Sequence, residues 1–374
     1  MSNALSNYDY PDTMMATLYP KNGTCVPTWT RVPTPTILKP TDCIIRVHKT
    51  TICGTDLHIL RGSVVTCLKN TIMGHEGIGH IVEIGSAVTK FTIGDRILVP
   101  CITRCNECHF CKKHFYGHCE MGGWILGHTI NGMQAEYARI PLVDTSCYCL
   151  PLDVTGQEED KYVMLSDILP TGFEIGLLDG NIRDGNSIGI VGVGPVGLAA
   201  LMSTIALYKP TQIYVVDIDP GRLQVAKDLG ATHIINNTNN DAAKQIMDLT
   251  DGHGLDLVVE CIGMPVGWYV CQEVVKPGGH IAILGVHGQS ATINLEKMWY
   301  RNFKLSAGMV HCFSIGDLMK KVYDGSLMAD KLISHRFGLS NIPDAYSTFA
   351  NAKETGSLKV IVENNISKPL ISCC

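Results

Sequence analysis

Four cysteines crowd the stretch CNECHFCKKHFYGHC at residues 105–119. Cys105, Cys108 and Cys111 follow the pattern Cys-x-x-Cys-x-x-Cys, and Cys119 lies a short loop further on. That spacing suits four thiolates wrapped round one tetrahedral zinc. Unliganded or disulfide-linked cysteines are the rival reading, weakened by a reducing compartment. The intervening His109, His114 and His118 read as exposed loop residues rather than ligands. Four thiolates leave zinc no open position, so this loop is expected to hold shape and perform no chemistry.

Chemistry needs a metal with a vacancy, and donor types occur earlier in the chain. CGTDLH supplies Cys53, Thr55, Asp56 and His58, and GHEG supplies His75 and Glu76. Cysteine and histidine are good zinc ligands, yet a buried lone cysteine or core histidine is the commoner occurrence. Spacing alone therefore leaves metal binding here open.

A third constellation is VGVGPVG, where Gly192, Gly194 and Gly197 have the Gly-x-Gly-x-x-Gly spacing between a β-branched run and a helical one. The first glycine permits a tight turn and the second lets backbone approach a pyrophosphate. The third lets helix and strand pack closely. Asp217 ends the next strand-like run, about 20 residues on, where a carboxylate accepts hydrogen bonds from ribose hydroxyls and repels a 2'-phosphate. NAD is expected over NADP, although Arg222 lies near enough in sequence to leave NADP use open.

These groups need a scaffold, and 374 residues suit two domains. Hydrophobic content of 45%, charged content of 17% and a net charge of −5 without basic runs fit a soluble globular protein and argue against nucleic acid as a partner. Sixteen cysteines spread through a chain this long suggest a reducing, cytoplasmic setting and metal ligation rather than a disulfide scaffold. No secretory signal is evident at the start, and residues 1–13 read as a loose extension. Residues 187–208 carry no charge and are long enough to span a bilayer, but Gly192, Gly194, Pro195 and Gly197 break them into strand, turn and helix. No membrane partner is expected.

The first half holds short Val/Ile/Thr-rich runs such as CIIRVHKTTIC, GHIVEIG and DRILVP, the pattern of an irregular β-rich domain. From Asp184 strands and helices alternate, as in a doubly wound parallel sheet. The fold class expected is thus α/β, with a β-rich domain at 1–169, a Rossmann nucleotide domain at 170–309 and a return of 310–374 to the first domain.

Taken in order, CGTDLH, GHEG, the four-cysteine loop, GDRILVP, LSDILPTGF and VGVGPVG resemble the zinc-dependent medium-chain alcohol dehydrogenases. The likeness runs from about Thr34 to Glu363 and implies a GroES-like catalytic domain joined to the Rossmann domain. It implies Cys53, His75 and Asp167 as ligands of a catalytic zinc, with Glu76 an exchangeable ligand or a carboxylate just outside the coordination sphere. Asp167 stands where many members carry cysteine. Aspartate there is similar to the secondary-alcohol and glutathione-independent formaldehyde dehydrogenases, and makes a harder Lewis acid.

The same resemblance implies that Thr55 takes the substrate proton and His58 passes it to solvent. Asp56 would orient the ligand histidine. Gly54 replaces an arginine that some members use on the pyrophosphate, and Lys359 in SLKVIVEN matches the family's basic residue near the C-terminus, which implies a cofactor contact. Trp124 is a candidate wall of the substrate pocket, against a core or interface tryptophan. The implied reaction is reversible oxidation of a small alcohol to an aldehyde or ketone, with two zincs per chain and a homodimeric or homotetrameric assembly. Formaldehyde, polyol and threonine dehydrogenases on the same scaffold are the near alternatives. A non-catalytic zinc-binding interaction module is the remote one.

Overall fold

The computed structural model describes residues 5–6, 10–21 and 26–366. The chain forms two compact units, one from 1–166 and 333–374, the other from 167–332.

In the first unit the strand Cys43–Thr51 is buried along almost its whole length, as its apolar CII start and β-branched VHKTT end allow. It lies between Lys359–Glu363 and Gly77–Ile84, and the sheet continues to Arg96–Val99 on one side and Ile333–Gly338 on the other. Register here decides chemistry. Thr50 pairs with Gly77, and Thr51 pairs with Ile361, both antiparallel. Running on from Thr51, the chain reaches Cys53 beside the residues that precede Gly77 and Ile361, namely His75, Glu76 and Lys359.

The helix Gly54–Leu60 starts directly after Cys53, whose extended backbone donates to the Asp56 carboxylate at 2.9 Å, one half of a capping box. Leu57, Ile59 and Leu60 of this short helix are buried in a cluster with Ile342, Tyr346 and Val360 from the returning segment. Each such side chain contributes about 1.5–3 kcal/mol by leaving water. A helix of seven residues is held by that packing rather than by its own propensity.

The N-terminal residues depart from the expected loose extension. Leu5 and Ser6 pair with Ile84 and Glu83, Tyr10 donates its hydroxyl to Glu83 and stacks on Tyr137 at 5.5 Å, and Thr13 opens the strand Thr13–Leu18. Residues 1–4 and 7–9 lie outside the described residues.

In the second unit strands and helices alternate as β1 Ser187–Val191, α1 Pro195–Leu207, β2 Gln212–Asp217, α2 Pro220–Leu229, β3 His233–Asn236, α3 Ala242–Leu249, β4 Leu255–Glu260, α4 Pro265–Val274, β5 Val275–Ile283 and β6 Lys304–Ala307. The order is β3-β2-β1-β4-β5-β6, all parallel. It is the doubly wound dinucleotide-binding order, whose crevice opens where β1 and β4 diverge. The uncharged stretch 187–208 is β1, a turn and α1. Among the described residues no helix is long and apolar enough to cross a membrane.

The unit boundaries fall at Ser166/Asp167 and Leu332/Ile333, against 169/170 and 309/310 from sequence. The later return has a physical cause. The buried carboxylate of Glu174 accepts hydrogen bonds from the backbone N–H groups of His311, Cys312 and Ser314 and from the Ser314 hydroxyl, at 2.6–2.9 Å. These bonds tie the segment after residue 310 to the nucleotide unit.

Candidate active site

Two donor groups stand out among the described residues. Sγ of Cys105, Cys108, Cys111 and Cys119 all lie within 4.8 Å of one another, and so do one donor atom each from Cys53, His75, Glu76 and Asp167.

Backbone N–H groups in the first group point at sulfur. Cys105 donates to Cys119 at 3.3 Å, Cys108 to Cys105 at 3.3 Å and Cys111 to Cys108 at 3.5 Å. Hydrogen bonds from the Cys111 and Glu120 backbones lower the Cys108 thiol to about 6, while burial and the Cys119 thiol push Cys111 up to about 12. Thiols this close cannot all ionise against one another, and a divalent cation removes the conflict. The set fits a closed structural zinc. His109, His114 and His118 are exposed and outside it.

The second group is mixed in chemistry, with one soft thiolate, one imidazole and two carboxylates. Strand register brings Cys53, His75 and Glu76 together. Asp167 follows Ser166, whose hydroxyl accepts from Gly77 N–H at 3.2 Å and whose carbonyl accepts from Cys101 N–H at 2.8 Å, so the chain arrives anchored to the start of the strand that follows His75 and Glu76. Thr171 donates its hydroxyl to Asp167 at 2.9 Å. Asp56, fully buried, places Oδ1 3.7 Å from His75 Nδ1, while His75 Nε2 lies 3.8 Å from Glu76 Oε1. Sulfur, nitrogen and oxygen donors at one point, with a buried carboxylate facing the histidine, suit zinc and not a hard cation such as magnesium.

Lys359 is 1% exposed and places its ammonium 2.6 and 2.9 Å from the two oxygens of Glu76, with the Ile52 carbonyl at 3.3 Å. Its charge is engaged in the donor group, neither solvated nor spread over a surface. Trp124 meets His75 edge to face at 6.4 Å and stacks on His128 at 4.1 Å. The His128 ring is held in turn by Thr66 at 2.6 Å and by the Trp124 carbonyl at 2.9 Å. Thr55 and His58, three positions apart on the helix Gly54–Leu60, are half-buried while Asp56, Leu57 and Ile59 are buried, so they share the accessible face. Burial, then the charge of Arg61, lowers the His58 pKa below the usual histidine value.

At the glycine turn, Gly192 has φ +94°, and a Cβ on Gly197 would stand 2.0 Å from the Gly192 carbonyl oxygen. Both positions exclude side chains. A Cβ on Gly194 would meet only Arg222 Nη1, at 3.8 Å, so the guanidinium lies beside the glycine turn. Asp217 closes β2 and accepts from Val193 N–H of that turn at 2.8 Å. Asp219 caps α2, accepting from Gly221 and Arg222 N–H.

Residues 39–151 match the alcohol dehydrogenase GroES-like domain and 195–318 the zinc-binding dehydrogenase domain. An alcohol dehydrogenase of Cupriavidus necator is 30% identical over 346 residues, covering 87% of this chain and 92% of its own. The chain belongs to the zinc-dependent medium-chain alcohol dehydrogenases. Another relative, the NADP-dependent isopropanol dehydrogenase of Entamoeba histolytica, is 31% identical over 337 residues, covering 86% of this chain and 89% of its own. Among solved structures, zinc dependent alcohol dehydrogenase 2 from Streptococcus pneumonia in its apo form superposes with a TM-score of 0.89 at 42% identity, over 95% of this chain and all of that one.

Zinc and a nicotinamide nucleotide are therefore the cofactor classes of this alcohol dehydrogenase fold, and both donor groups fit the metal. Sequence reasoning missed Glu174, Gln134 and Tyr346. Nothing in the stretches GFEIG, GMQAEY or DAYSTF marks them, because their partners lie far away in the chain.

Proposed function

We propose that the protein interconverts an alcohol and its aldehyde or ketone with NAD as hydride carrier, the donor group Cys53, His75 and Asp167 holding the catalytic zinc. The single observation that carries this reading is that mixed donor group, with Trp124 edge to face against His75 and the helix bearing Thr55 and His58 starting directly after Cys53. Zinc held by Cys53, His75 and Asp167 would supply the Lewis acidity that makes an alcohol hydroxyl acidic near neutral pH, and a nucleotide at the glycine turn would supply the hydride acceptor. Thr55 Oγ1 takes the hydroxyl proton and the His58 imidazole passes it to water. Alcohol and NAD+ thus give carbonyl compound, NADH and one proton.

Glu76, paired with Lys359, supplies a carboxylate beside the metal that can exchange with water. Trp124, pinned by His128, walls the substrate side with an apolar face, which supports small primary or secondary alcohols. Asp217 supports NAD, since a 2'-phosphate at the end of β2 would meet its carboxylate. Arg222 is positioned to pair with the pyrophosphate. The Asp167 donor also suits a formaldehyde-type enzyme, and a nucleotide retained through purification would shift the assignment there.

A homo-oligomer is supported by β6, which ends the sheet with an open edge, and by the exposed Leu295, Trp299, Tyr300 and Leu305 close to it in sequence. Four thiols clustered for a metal support a reducing compartment.

The test is NADH absorbance over a panel of alcohols and aldehydes, with NAD and NADP compared and zinc counted on the same preparation. Two zincs per chain with alcohol-dependent NADH formation are expected. One zinc and no turnover on any alcohol would sink the catalytic assignment, and a preference for NADP would sink the role given to Asp217.

A further inference from the structure

A chain of buried polar groups runs from the returning segment to the metal donors. Tyr346, 1% exposed, donates its hydroxyl to Oε1 of Gln134 at 2.7 Å. Nε2 of Gln134 lies 3.2 Å from Asp56 Oδ2 and 3.2 Å from the Thr51 carbonyl. Asp56 Oδ2 also accepts from Cys53 N–H at 2.9 Å, while its Oδ1 faces His75. One carboxylate thus holds the backbone of one donor residue and faces the ring of another, and one amide holds the carboxylate.

The sense of that amide is dictated by its neighbours. Turned over, Gln134 would point oxygen at both the Asp56 carboxylate and the Thr51 carbonyl, two acceptor–acceptor conflicts in a buried site. Burial, with the nearby charge of Asp56, holds the Tyr346 phenol well above its usual pKa, so the hydroxyl keeps its proton and must donate. Oε1 of Gln134 accepts it at 2.7 Å, far closer than the Met73 sulfur at 3.8 Å. Gln134 is also locked by its backbone. Its N–H bonds the Met73 carbonyl, and its side chain lies against Gly74, where a Cβ would come within 2.6 Å of Cγ. Both residues lead directly into His75.

We propose that Tyr346 and Gln134 are positioning residues for the zinc site, the Tyr346 hydroxyl fixing the Gln134 amide so that Asp56 holds His75 and Cys53 in ligating orientation. The proposal rests on Cys53, His75 and Asp167 being the catalytic zinc site. Outer hydrogen-bond partners of metal ligands typically contribute about ten- to a hundredfold in metal affinity. Tyr346 acts one group further out, so a smaller effect is expected.

The experiment loads the full-length parent, Tyr346→Phe and Gln134→Leu with zinc, follows its release to a competing chelator, and records Tm for zinc-free and loaded forms. Tyr346→Phe removes one oxygen without changing shape, so it keeps the test open if Gln134→Leu fails to fold. Expected is a loss of about three- to tenfold in affinity for the weaker zinc in Tyr346→Phe, at or below the low end for such partners. The tighter, four-cysteine zinc should be unchanged, and the rise in Tm on loading should shrink. Equal falls in Tm for both forms, with the weaker affinity as in the parent, would show that the two residues only fill the core and overturn the proposal. A parent that holds no second zinc would overturn the catalytic-site reading and this proposal with it.

Discussion

Lys359 and Glu76, 283 positions apart in the chain and each 1% exposed, form a two-pronged ion pair at the edge of the zinc donor group. Strand register makes the pair, since Thr51 faces Ile361 and Thr50 faces Gly77. Removing one partner of such a pair leaves a buried charge uncompensated, at a typical cost of about 3–5 kcal/mol. Lys359→Met is therefore expected to lower unfolding stability by that order in denaturant titration, and Lys359→Met with Glu76→Gln to recover part of the loss. A Lys359 engaged chiefly with the cofactor would instead raise KM for the nucleotide while leaving stability intact.

His58 should matter most where the proton has no other outlet. Its pKa is held below the usual histidine value by burial, so the neutral, proton-accepting ring persists to lower pH. Replacing it with Gln is expected to slow alcohol oxidation on the order of tenfold near pH 6–7, less than the roughly 10²–10⁴ of a direct general base, because water offers a bypass. At alkaline pH hydroxide takes the proton and the gap should close. A variant that tracks the parent across a full pH–rate profile would remove His58 from the relay.

Cys111 separates the two metals. Cys111→Ser takes a buried thiolate from the four-cysteine loop and is expected to lower bound zinc from about two to about one per chain, with a lower Tm. Activity of the surviving folded fraction at low temperature should stay close to the parent value. Loss of activity with both zincs retained would contradict the division of labour between the sites.

Acid stability offers a further test away from the site. His80 Nδ1 lies 2.6 Å from His48 Nε2, with Arg96, Arg46 and Glu159 facing the pair, and burial together with the charge of His48 lowers the His80 pKa to about 4. An unfolded histidine titrates near 6.5, so between about pH 6.5 and 4 the unfolded chain binds a proton that the folded one refuses. The His80 contribution is intact above about pH 6.5 and declines as pH falls towards 4. His80→Gln should flatten that portion of a Tm–pH curve relative to the parent, and an unchanged slope would refute the assignment.

What the amino-acid sequence determined alone was everything whose physics is local. Cys105, Cys108, Cys111 and Cys119 can close a tetrahedron within one loop. Gly192 and Gly197 occupy positions where backbone angle or a 2.0 Å approach excludes a side chain, and Pro195 and the apolar run after it can only start and bury a helix. The alternation from Asp184 likewise follows from which short runs suit strands and which suit helices. The motifs taken as a set also pointed to Cys53, His75 and Asp167, whose donor atoms lie within 4.8 Å of one another.

Only the tertiary structure decided which distant groups meet. Glu174 fixes the segment around Ser314, 140 positions away, and so moves the unit boundary past residue 310. Lys359 stands on Glu76, and Tyr346 reaches Gln134 across 212 positions. Such pairings depend on strand register and the path of the returning chain, and a buried charge or amide shows no local pattern until its partner is in place.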